Sequence, residues 1–116
     1  NINVITPEYD SNGQLLFRDN LIPMVAGRNV LLLISTVNSG KSIRRVVECA
    51  QYYGGRVQGI AAVFSTLEEM EGVPIYSLFT PEDIPGYATY APESCAMCRA
   101  GKRIDALANS YGLSAL

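Results

Sequence analysis

The chain has 116 residues, 48% hydrophobic and 17% charged, a size and balance that fit one folded domain and exclude a disordered segment. Its net charge is -2 with no basic block, which argues against a nucleic-acid partner or a membrane surface. No stretch approaches the ~20-residue apolar run of a membrane span and no signal peptide is visible, so the sequence reads as cytoplasmic.

In chain order, Ile2–Thr6 is a short β-rich run stopped by Pro7. Asn12-Gly13 is a tight-turn signal, and Gln14–Arg18 reads as a second strand, so residues 2–18 predict a hairpin. A connector with Pro23 and Gly27 completes residues 1–27. Asn29–Ser35, "NVLLLIS", is a continuous apolar run of the kind found in parallel strands buried on both faces. After the turn the period changes. Ile43, Val46, Val47 and Ala50 share one helical face, opposite Arg44, Arg45, Glu48 and Gln51, and Gly54-Gly55 stops the helix. Arg56–Ser65 predicts another strand, Thr66–Gly72 a polar connector or short helical turn, and Val73–Phe79 a third buried strand. Strand, helix and strand at this spacing predict a right-handed crossover in a mostly parallel sheet, so residues 28–80 form the core of an α/β domain with flanking helices. Residues 81–116 form a tail, in which Ile104, Leu107, Ala108 and Tyr111 share a helical face. The chain opens on Asn1 rather than Met, which suggests the C-terminal part of a longer protein.

Histidine is absent, which excludes histidine acid–base chemistry, Ser-His-Asp triads and histidine-ligated metals within this chain. The cysteines are Cys49, Cys95 and Cys98, an odd count that suits a reducing compartment. Cys95-Ala-Met-Cys98 has metal or redox spacing, yet offers only two ligands; zinc, redox chemistry and structural thiols all remain open there. Glu68, Glu69 and Glu71 read as a solvated charged run. Tyr52, Tyr53, Tyr87 and Tyr90 are either rim residues or candidates to stack on a base.

The stretch Leu31–Ser42, "LLLISTVNSGKS", carries the most chemistry. A loop between a parallel strand and the next helix lies at the carboxyl edge of the sheet, where α/β domains bind ligands. Its amides and the helix dipole suit an anion. Gly40 lets backbone approach a ligand, and Asn38, Ser39 and Ser42 add polar side chains. A phosphate monoester is the natural guest; the alternative is that Asn38 or Ser39 simply caps the helix. The ending Gly-Lys-Ser resembles a Walker A loop. That pattern needs glycine where Ser35 stands, and no later apolar strand ends in an Asp for magnesium, so a degenerate P-loop is the weakest reading.

Residues 28–116 resemble the type I phosphoribosyltransferases, and within them the orotate branch. The strand, Ser/Thr-rich turn with Gly, helix, Gly-Gly and following strand match that plan, as does the tail "ESCAMCRAG" with its CxxCxxG spacing. The resemblance implies a Rossmann-like phosphoribosyltransferase fold and a transferase of pyrimidine nucleotide metabolism. It implies that Thr36, Val37, Asn38, Ser39, Gly40, Lys41 and Ser42 cradle the 5-phosphate of a phosphorylated ribose or nucleotide monophosphate. The family's acidic pair falls on Ile34 and Ser35, a degenerate pair that cannot accept the ribose hydroxyls. Magnesium is expected of an active member, but its usual acidic support is missing here. The upstream region, where the family carries a cationic loop, has only Arg18 as a cation in Thr6–Asn20. The expectation is therefore an orotate-type domain without catalysis of its own, completed by a homodimer or a missing N-terminal segment. The alternative class is a non-catalytic dimerisation or regulatory domain.

Overall fold

The computed structural model describes residues 2–116. It opens with a hairpin in which β1 (Glu8–Tyr9) pairs antiparallel with β2 (Leu15–Leu16). Ile2–Thr6, expected as the first strand, forms none, and Ile2 and Val4 lie exposed. Asp10 decides this. Its carboxylate accepts from the backbone N–H of Asn12 and of Gln14, both at 2.8 Å, which closes the turn directly after Tyr9. Beyond the hairpin, Phe17 joins Val25 and Cys49 in a small core, with Leu15 and Tyr53 packed against it.

The main sheet contains β3 (Asn29–Val37), β4 (Arg56–Ser65), β5 (Glu69–Met70) and β6 (Val73–Phe79) in the order β3-β4-β6-β5. The three long strands run parallel, while β5 is antiparallel to β6. The sheet is therefore mixed rather than uniformly parallel. The antiparallel edge arises where the sequence suggested a connector. Glu71 (φ 51) and Gly72 (φ 79) form a two-residue turn with both φ values positive, the geometry that matches strand twist. The turn folds Met70 into the core at 6% exposure.

The helix α1 (Lys41–Tyr52) crosses between β3 and β4 and ends before Gly54, as its periodicity predicts. Ile43, Val47 and Ala50 are buried and Val46 packs beside them. They meet Leu32, Val37, Ile60 and Ile75 in the main core. Fully burying side chains of this size stabilises by about 1.5–3 kcal/mol each.

The expectation of flanking helices and strands buried on both faces is corrected here. Successive strand residues point to opposite faces, and α1 covers only one. On the other face Leu31, Leu33, Val63, Tyr76 and Leu78 are between 51% and 76% exposed. Register places Leu33, Ala61 and Tyr76 side by side across the three strands. A continuous apolar run describes a strand suited to two covered faces; it does not say that this chain supplies both covers.

The tail holds the one-turn helix α2 (Ala96–Arg99), then β7 (Ala106–Asn109) paired antiparallel with β8 (Gly112–Ala115). The helical face expected over Ile104–Tyr111 does not form. Asn109 turns the chain instead: its side-chain oxygen accepts from Tyr111 N–H at 2.9 Å and its amide donates to Ser114 Oγ at 2.8 Å. No described helix is long and apolar enough to cross a membrane.

A candidate phosphate site at the start of the crossover helix

The carboxyl end of β3 runs into the turn Asn38-Ser39-Gly40 and then into α1. Thr36, Val37, Asn38, Ser39, Gly40, Lys41, Ser42 and Ile43 line one concavity of about 160 Å³. Small-molecule pockets usually run to ~300–1,000 Å³, so this hollow suits one oxyanion group rather than a whole ligand. The seven loop positions singled out in the sequence are thus brought together, with Ile43 added at its floor. Val37, Gly40 and Ile43 are buried; Ser39, Lys41 and Ser42 are exposed.

The alternative to a bound phosphate has Asn38 or Ser39 as the helix cap, and neither takes that place. The N-cap is Gly40 in the left-handed region (φ 82), with no side-chain cap and no acid in the first turn. The first intrahelical bond runs from Arg44 N–H to Gly40 O. The earlier amides of α1 therefore have no side-chain acceptor, in a hollow that Lys41 also lines, as an anion would require.

Asn38 is occupied elsewhere. Its amide donates to Thr89 Oγ1 at 3.3 Å, and its side-chain oxygen accepts from Tyr87 Oη at 3.1 Å. Thr66 Oγ1 donates to Asn38 O at 2.5 Å, and Thr66 N–H donates to Val37 O. Tyr87 also packs its ring 5.0 Å from Phe64 at the end of β4. The segment around residues 87–89 thus straps the turn to the sheet. Nothing local in the sequence signals these contacts, which span about fifty positions; the Tyr/Thr content of "GYATY" is the sole hint.

Gly40 has a role that sequence reasoning missed. A Cβ there would fall on the terminal methyl of Met70 and lie 3.0 Å from Leu67 Cδ1. The glycine lets α1 sit down on the β5 turn, and only the opposite side of the loop faces outward.

Ile34 and Ser35 point to opposite faces of β3, Ile34 half-buried against the main core and Ser35 exposed. Neither carries a charge. Arg18 is held by Glu8 at 2.8 Å, and Glu71 of the acidic run pairs with Arg44 at 3.2 Å. Tyr52 and Tyr53 meet edge to face at the far end of α1, a helix length from the loop, whereas Tyr87 reaches the turn through Asn38. Cys95 and Cys98 lie together in the tail, apart from buried Cys49. Among the described residues no three metal-ligating side chains converge.

A strand, a loop at its carboxyl end and an uncapped helix define an α/β domain of the class that meets ligands at the carboxyl edge of its sheet. In sequence the chain is similar to orotate phosphoribosyltransferases. It is 30% identical over 91 residues to that of Heliobacterium modesticaldum, covering 77% of this chain and 45% of the relative. It is 31% identical over 96 residues to that of Thermus thermophilus, covering 81% and 50%. The enzyme of Caldicellulosiruptor bescii matches at 31% over 77 residues, 65% of this chain and 38% of the relative. The chain therefore bears an orotate-phosphoribosyltransferase-like relationship to these proteins and spans about half or less of their length. No protein-family model matches it.

Proposed function

We propose that the chain is an orotate-phosphoribosyltransferase-like domain, tied to pyrimidine nucleotide metabolism, whose 36–43 loop receives the phosphate of a phosphorylated ribose or nucleotide monophosphate. The supporting observation is the uncapped start of α1 within the Thr36–Ile43 hollow, next to Lys41. The loop amides would donate to the phosphate oxygens, Ser39 and Ser42 would add hydroxyl donors, and Lys41 would balance charge. Asn38 would shape the turn rather than touch the ligand, since both ends of its amide are engaged.

On this reading the chain binds without transferring. Phosphoribosyl transfer depends on holding the ribose and on stabilising the departing diphosphate. At the positions of the acidic pair stand Ile34, committed to the core, and Ser35, neither able to support a magnesium-bound diphosphate.

The test is titration of ribose 5-phosphate into isotopically labelled chain, followed by amide resonance shifts. Shifts centred on residues 39–43, lost in Ser39→Glu, are expected. Ser39 is exposed, so the variant keeps its fold. Unmoved resonances at 39–43 would refute the site. Orotidine monophosphate formation by the purified chain would refute the non-catalytic part. A non-catalytic dimerisation domain is the second reading, supported by the uncovered apolar face of the sheet. A silent loop together with a dimer in sedimentation would favour it.

A further inference from the structure

The Cys95–Cys98 pair has no part in the loop reading. Cys95 stands at the N-cap of α2, and its Sγ accepts from Cys98 N–H at 3.2 Å. Cys95 is half-buried and Cys98 exposed. Neither thiol is fully buried, so neither is needed to fill a core. The third cysteine, Cys49, is enclosed with Phe17 and Val25. The pair lies after the last strand of the main sheet. It opens a helical turn, the arrangement in which one sulfur lies against the amide of the other.

We infer that Cys95 and Cys98 form an exchange-competent dithiol that closes to an intramolecular disulfide with low-molecular-weight disulfides. Cys95 is the attacking sulfur. Its thiol is held below the ordinary thiol value by the hydrogen bond from the Cys98 side chain and then by the Cys98 amide. The Cys98 thiol is pushed up by that same contact and by the neighbouring Cys95 charge. The Cys95 thiolate attacks one sulfur of a disulfide such as oxidised glutathione and expels the first glutathione thiolate. Cys98, deprotonated to solvent, then attacks the Cys95 sulfur of the mixed disulfide and expels the second. Two cysteine thiols are oxidised, one small disulfide is reduced to two thiols, and two protons leave the pair.

The test treats the native chain with oxidised glutathione near neutral pH, quenches in acid, blocks free thiols with N-ethylmaleimide and reads the peptides by mass spectrometry. The peptide with both cysteines should lose two hydrogens and take no maleimide, while Cys49 is unmodified until denaturation. Cys98→Ser should trap glutathione on Cys95. Cys95→Ser should react several-fold more slowly at Cys98. Protection of Cys49 in each variant reports that the fold is kept. Stable glutathione adducts on both cysteines of the wild type, no closure at all, or equal rates in the two single variants would each overturn the inference. None of these outcomes depends on whether the 36–43 loop binds phosphate.

Discussion

Gly40→Ala isolates the structural part of the loop from its ligand-binding part. Gly40 sits at φ 82, and a non-glycine residue in the left-handed region costs roughly 1–2 kcal/mol. The new methyl would also fall on the end of Met70 and press on Leu67. Met70 is flexible and can yield, but it is 6% exposed within the main core, so its displacement costs roughly 1–3 kcal/mol in disturbed packing. Together these come to about 2–5 kcal/mol. With a urea dependence of roughly 1.5 kcal/mol per molar, the midpoint should fall by about 1.3–3.3 M. A double-mutant cycle checks the cause. Met70→Ala alone should cost ~2–5 kcal/mol. Combined with Gly40→Ala it should cost at least ~1 kcal/mol less than the sum, because the colliding methyl is gone. Additive losses, or a Gly40→Ala midpoint close to wild type, would refute the claim that the glycine is required by the β5 turn beneath it. For the same reason Gly40→Asp is a poor probe of phosphate binding, and Ser39→Glu is the better one.

Two further outcomes follow from close packing and burial. A Cβ at Gly55 would lie 2.9 Å from both Ala50 O and Val25 Cγ1. That carbonyl already accepts the Gly55 N–H at 2.8 Å and cannot retreat, so Gly55→Ala should destabilise by about 1–3 kcal/mol in thermal or urea unfolding. Burial pushes the Cys49 thiol up. The folded chain therefore gives up this proton later than the unfolded chain. Its contribution is intact below the ordinary thiol value near ~8.5 and declines as pH rises from there through the raised value. Urea midpoints from neutral to alkaline pH should fall more steeply for wild type than for Cys49→Ala; parallel curves would refute it.

The centre of this fold was legible because its signals are local. The apolar run Asn29–Ser35, the helical spacing of Ile43 to Ala50 and Gly54-Gly55 each fix one element without reference to the rest of the chain. What escaped was non-local or ambiguous. An apolar strand reads the same whether or not its second face is covered, so Leu33 and Leu78 gave no warning of their exposure. The β5 edge rests on a Glu-Gly turn, weaker as a signal than Asn-Gly, among carboxylates that looked like a solvated run. In the tail, a helical spacing of apolar residues competed with Asn109 and Gly112, and with no core to reward the helix the turn chemistry won. At the loop, Asn38, Ser39, Gly40 and Ser42 could be named from strand, turn and helix, and Thr36, Val37 and Lys41 only through the family resemblance. The roles of Asn38 and Gly40 could not, because their partners Tyr87, Thr89, Leu67 and Met70 come from later in the chain.

The strap across the turn has a spectroscopic consequence. The protein has no tryptophan and seven tyrosines, so its intrinsic emission is entirely phenolic. One of those phenols, Tyr87, donates its hydroxyl proton to the turn through Asn38 while its ring rests on Phe64. Its emission and ring resonances therefore register any rearrangement of the loop, and a natural optical reporter is wired to the place where a phosphate would arrive.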